Sequence, residues 1–80
     1  MSIGDVVTRF LLDEKYIGSG EALDESDSLL ERGVIDSVGV LKLVAFLEET
    51  YGIEIEEDDL MPENFDSLIA ISNYVSRKIG

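Results

Sequence analysis

The chain contains no cysteine, which excludes disulfides and thiolate metal sites, and no histidine, which removes the commonest general base and zinc ligand. Catalysis by the chain itself is therefore not expected. Long apolar runs are missing too: the longest extends from Leu43 to Leu47, far short of the roughly 20 residues that cross a bilayer. The N-terminal residues lack the basic-then-apolar layout of a secretory signal, so a cytoplasmic protein is expected. Basic residues are few, 6 against 18 acidic, and the formal net charge of -12 disfavours nucleic acid and anionic membrane surfaces as partners. Basic protein surfaces are the natural complement.

What is present suits one folded unit. The 80 residues are 45% hydrophobic, too apolar for a disordered chain. That length predicts a single domain over residues 1–80, with one modest core and no room for a catalytic domain beside it. Ser2 and Asp5 fit a capping box, and Ile3, Val6, Val7, Phe10 and Leu11 recur at helical spacing, which predicts a first helix over about residues 3–13. The polar stretch from Gly18 to Ser28 reads as a long loop with Leu23 tucked inward. Gly33 breaks the chain, and Asp36 or Ser37 caps a second helix that ends at Gly52. Gly52 to Glu56 alternates like a strand but has no partner, and is read as an extended connection carrying Ile53 and Ile55 inward. Pro62 opens a short element near Met61 to Phe65, and Asp66 or Ser67 caps a last helix whose core stripe is Leu68, Ile71, Val75 and Ile79. The expected fold is all-α, three main helices plus one short one.

On a helical wheel Val40, Leu43, Val44, Leu47 and Tyr51 fall in one sector and form the core stripe of the second helix. Val38, Leu41 and Ala45 fall on another flank, shared with Ser37 at the helix start and Glu48 further along. Core packing does not need that flank. An apolar strip with Glu48 and Glu49 at its rim suits docking by a partner that has an apolar notch ringed by basic residues. Ser37 stands at the positive end of the helix dipole after a long loop, where a phosphodiester on its oxygen would be favoured by free N–H groups. Asp-Ser is also ordinary capping chemistry.

These residues resemble a known family, the acyl carrier proteins, free-standing acyl and peptidyl carriers in which an Asp-Ser-Leu-like motif opens the second helix. The motif stands here as Gly33-Val-Ile-Asp36-Ser37-Val38-Gly39, followed by Leu41, Leu43-Val44, Leu47-Glu48-Glu49 and Tyr51-Gly52-Ile53-Glu54-Ile55. The likeness takes in Asp27-Ser28-Leu29-Leu30-Glu31 and the late segment ending in Ile71 to Val75, nearly the whole chain. It implies a four-helix bundle with a short third helix, acting as a monomer. It also implies 4'-phosphopantetheine, taken from coenzyme A, on Ser37, with Asp36 helping a phosphopantetheinyl transferase orient magnesium and the serine. Acyl or aminoacyl groups would then be held as thioesters and presented to biosynthetic enzymes, through a surface comprising Val38, Leu41, Lys42, Ala45, Glu48 and Glu49. Fatty-acid-synthesis carriers usually place acids two and five residues after the serine, where this chain has Gly39 and Lys42. The phrase Pro62-Glu-Asn-Phe-Asp66-Ser67 looks like carriers that work beside adenylate-forming ligases in secondary metabolism, with an acyltransferase as the other loading partner.

Two other classes remain open on the residues alone. One is an acidic helical adaptor that binds through the Val38, Leu41 and Ala45 strip, with Ser37 a plain cap. The other is a weak calcium binder using Asp24 to Ser28 or Glu54 to Asp59. Neither cluster is an EF-hand loop, because counting from Asp24 the sixth position is Leu29 and the twelfth is Ile35. No specific metal site is expected. A serine hydrolase lacks its histidine base and its Gly-x-Ser-x-Gly elbow.

Overall fold

The computed structural model describes residues 2–18, 20 and 23–80. Each of the three long helices begins where a side chain accepts one of its free amides. Helix α1 (Ile3–Asp13) starts with a reciprocal pair: Ser2 Oγ accepts the Asp5 N–H at 3.1 Å and Asp5 Oδ2 accepts the Ser2 N–H at 3.3 Å. Helix α2 (Ser37–Tyr51) is capped by Asp36 and stopped by Gly52, whose φ of 63° is left-handed and suits glycine. Helix α3 (Pro62–Phe65) opens on its proline, and helix α4 (Leu68–Ile79) is capped by Ser67. Among the described residues there are these four helices, one 3-10 turn at Glu57–Asp59 and no strand. The fold is therefore the all-α bundle of three long helices and a short one.

One apolar face of each long helix meets in a single core. Val7 and Leu11 of α1, Leu43 and Leu47 of α2, and Ile71 and Val75 of α4 are completely buried. Helix α1 packs on α4, and α3 packs on α4 as well. Tyr74 joins the buried face of α4, whereas Ile79, expected on the stripe, is 55% exposed because residues 76–80 run past the end of the core. Beyond left-handed Gly52, residues 53–56 form neither helix nor strand, with Ile55 buried and its N–H donated to Glu48 Oε2 at 2.9 Å.

The long loop is held rather than loose. Leu29, Val34 and Ile35 are buried, and the Leu29 carbonyl accepts the N–H groups of Val34 and Ile35 at 2.9 and 3.4 Å. Across the bundle, the Leu29 N–H donates to the Asp66 carbonyl at 2.6 Å and the Ile69 N–H to the Glu25 carbonyl at 3.0 Å. Leu23 packs partly buried against the core, while Ser19, Glu21 and Ala22 of the predicted loop lie outside the described residues.

Candidate functional site

The start of α2 is built by the loop that ends in Ile35. Asp36 has extended backbone, and its Oδ1 accepts the Gly39 N–H at 2.8 Å while its carbonyl accepts the Val40 N–H at 2.9 Å. Of the two residues able to cap this helix, Asp36 is the cap. Ser37 is the first helical residue, exposed, and the amides of Ser37 and Val38 precede the first intrahelical bond. This arrangement removes the reading of Ser37 as a plain cap.

Gly39, buried one turn into the site, is required by close approach. A Cβ there would lie 2.5 Å from Ile35 Cγ1, 3.2 Å from the Tyr16 hydroxyl and 3.3 Å from Asp36 Oδ1. The position two residues after the serine therefore has no space for the acid that fatty-acid carriers place there. Lys42 is exposed.

Beside Ser37 lies a groove of about 290 Å³. Leu30 of the loop, Ser37, Val40 and Leu41 of α2, and Met61 and Phe65 from the α3 side line it. The groove is mostly apolar, and Leu30, Leu41 and Met61 remain 39%, 57% and 46% exposed at its rim. Sequence patterning did not reveal it, although the Leu29-Leu30 doublet carried a signal: only one of the two residues can point into the core. The wall before α3 is fixed by Asp59, whose Oδ2 accepts the Tyr74 hydroxyl at 2.6 Å and whose carbonyl accepts Asn64 Nδ2 at 2.9 Å. Burial first, then this bond, pushes the Tyr74 phenol up to about 12.

Val38, Leu41 and Ala45 are all exposed, on the flank that carries Ser37. Glu49 is exposed, while Glu48 is half-buried and bonded to Ile55. The acidic loop residues are committed locally: Asp24 Oδ1 accepts the Ser26 N–H at 3.1 Å and hydroxyl at 3.0 Å, which holds its carboxyl below the usual range, and Arg32 pairs with Asp27 at 2.6 Å. Among the described residues no three metal-binding side chains come together.

An exposed serine at a capped helix start opens on an apolar groove, and the profile of the phosphopantetheine attachment site matches residues 14–75. The chain belongs to the phosphopantetheine-binding carrier family. Members of this acyl and peptidyl carrier family carry 4'-phosphopantetheine covalently, and the chain is a carrier protein. It is 29% identical over 59 residues to an acyl carrier protein of Nitratidesulfovibrio vulgaris (strain DSM 19637 / Miyazaki F), covering 74% of this chain and 76% of the relative. It is 29% identical over 75 residues to the probable acyl carrier protein PigG of Serratia sp. (strain ATCC 39006), covering 94% of this chain and 80% of that carrier. A chain of a solved structure described as the crystal structure of FAD-dependent dehydrogenase superposes with a TM-score of 0.74 at 28% identity, over 86% of this carrier and 97% of that chain. Among its described residues the carrier has no helix long and apolar enough to cross a membrane.

Proposed function

We propose that this carrier holds acyl or aminoacyl groups as thioesters on a 4'-phosphopantetheine arm attached to Ser37, and presents them to biosynthetic enzymes in the cytoplasm without catalysis of its own. The observation that carries this reading is the division of labour at α2: Asp36 makes the cap, and the Ser37 hydroxyl stays exposed beside an apolar groove. The residues fit the group, because helix-start amides favour a phosphodiester and the groove offers apolar surface next to it. When bound, the arm supplies a terminal thiol for thioester formation. A phosphopantetheinyl transferase, using coenzyme A and magnesium, is the first partner, with Asp36 the supporting residue at the attachment point. A monomer suffices for this role.

Loading by an adenylate-forming ligase is the reading favoured over service to fatty-acid synthesis. The exposed Val38, Leu41 and Ala45 strip offers apolar contact, Lys42 places positive charge where basic enzyme surfaces would meet it, and Gly39 leaves no room for a compensating acid. Glu48 and Glu49 close the far end of this surface. The test is reconstitution: the protein is treated with coenzyme A and a broad-specificity transferase, then with ATP, a panel of acids and an adenylate-forming ligase. The expected product is an acyl adduct released by hydroxylamine in wild type and absent in Ser37→Ala. A loaded protein that no ligase acylates, yet a fatty-acid acyltransferase serves well, contradicts the ligase-partnered reading.

A further inference from the structure

The groove beside Ser37 is assembled from segments far apart in sequence, and one carboxylate joins two of them. Asp66 directly follows Phe65, a lining residue on the α3 side, and its Oδ1 accepts the N–H of Leu30, the lining residue contributed by the loop, at 3.0 Å. Its other oxygen, Oδ2, accepts the Ser28 hydroxyl at 2.6 Å, and Ser28 Oγ in turn accepts the Glu31 N–H at 3.1 Å. The loop does not need these bonds in order to reach the bundle. Leu29 is completely buried, and its N–H already donates to the Asp66 main-chain carbonyl. What the carboxylate adds is the placement of the exposed residue beyond that anchor, Leu30, relative to Phe65. Serine and aspartate side chains are used elsewhere in this chain as helix caps, but Ser67 caps α4, so the Asp66 side chain is directed at the loop.

We propose that Asp66 is a positioning residue for the chemistry at Ser37: its carboxylate latches the loop wall to the α3 wall and so sets the width of the groove in which a group carried on Ser37 settles. This rests on the carrier reading above. Removing both carboxylate oxygens frees Leu30 to move outward and opens the groove to water, whereas removing the Ser28 hydroxyl alone releases only one of the two bonds. The groove, about 290 Å³ and lined by Leu30, Val40, Leu41, Met61 and Phe65, offers an apolar surface to the group carried on Ser37.

The test uses a coenzyme A conjugate bearing a solvatochromic aminonaphthyl group, loaded by a broad-specificity transferase onto wild type, Asp66→Ala, Asp66→Asn and Ser28→Ala. Loading is verified by intact mass and folding by circular dichroism, with emission read well below the melting temperature of every variant. The expected result is blue-shifted emission in wild type, a maximum near that of the free conjugate in Asp66→Ala, and partial shifts in Ser28→Ala and in Asp66→Asn, which keeps an acceptor for the Leu30 amide. Folded Asp66→Ala that fails to load where wild type loads also supports the positioning role. Emission in Asp66→Ala equal to that of a blue-shifted wild type overturns the latch and leaves the carrier reading standing. Water-like emission in loaded wild type overturns the groove as the resting place. Failure of wild type to load overturns the carrier reading itself. If Asp66→Ala does not fold, Ser28→Ala and Asp66→Asn carry the same comparison.

Discussion

Aspartate is followed directly by serine three times, at Asp27-Ser28, Asp36-Ser37 and Asp66-Ser67, and the last two pairs, which stand at helix starts, divide their roles in opposite ways. At Asp36-Ser37 the aspartate caps and the serine is left exposed; at Asp66-Ser67 the Ser67 Oγ accepts the Ala70 N–H at 3.2 Å and the aspartate reaches the loop. The sequence could not choose between them, because both residue types are good caps and the decision depends on what approaches from elsewhere in the fold. Asp36→Ala is expected to destabilise the protein by about 1 kcal/mol, the usual worth of a cap, whereas Ser37→Ala is expected to stay within about 0.5 kcal/mol of wild type. Urea denaturation of the two variants checks this, and the reverse order would mean that Ser37 is the cap. Gly39 was legible only as a departure from the family pattern; its reason is spatial. Gly39→Ala gains helix propensity of about 1 kcal/mol, but its Cβ meets Ile35, which is 3% exposed and closely packed. Overpacking of this kind costs about 1–3 kcal/mol, so net destabilisation is expected in the same denaturation series.

At the scale of elements, the three long helices were legible because caps, stripes and a stop signal agree along the chain. The bounds expected for α1 and α2 match those observed. The short segment before α4 was legible only in Pro62. Its 3-10 turn consists of Glu57, Asp58 and Asp59, three exposed or half-buried acids that give no apolar period to read. What fixes this segment is the long-range bond from Tyr74 to Asp59, 15 residues away. The Tyr74 phenol is raised above its ordinary value of 10.0 to about 12 in the folded state, so the protonated form is the one that folding favours. Its contribution is fully present below pH 10 and is lost as pH rises toward about 12. Tyr74→Phe is expected to lower stability at neutral pH by about 1 kcal/mol, the net worth of one hydrogen bond, and to flatten the alkaline fall between those limits. Denaturation midpoints measured across pH 8 to 12, roughly the window over which the phenol titrates, check both effects. An unchanged alkaline slope would contradict the assignment.

At the scale of the whole molecule, two things escaped the sequence for the same physical reason. The groove and the Asp66 latch both join residues far apart in the chain, Ser28 and Asp66 being separated by 38 positions, and no local period encodes such a meeting. Charge, by contrast, was fully legible. With a net charge of -12 and, among the described residues, only the Arg9–Asp13 and Arg32–Asp27 ion pairs, both solvent-exposed, repulsion among acids outweighs local attraction. The melting temperature is therefore expected to rise with added salt, because screening relieves repulsion more than it weakens surface pairs. A flat or falling series would show that the acids are locally compensated. Attachment of the arm to the exposed hydroxyl of Ser37 is tested by locating the added group within the chain. Wild type is incubated with coenzyme A, magnesium and a broad-specificity transferase, digested, and the peptides are fragmented to locate the added phosphopantetheine. A single modification is expected at Ser37, lost in Ser37→Ala; modification at Ser28 or Ser67, or undiminished modification of Ser37→Ala, would mean that a different residue carries the arm.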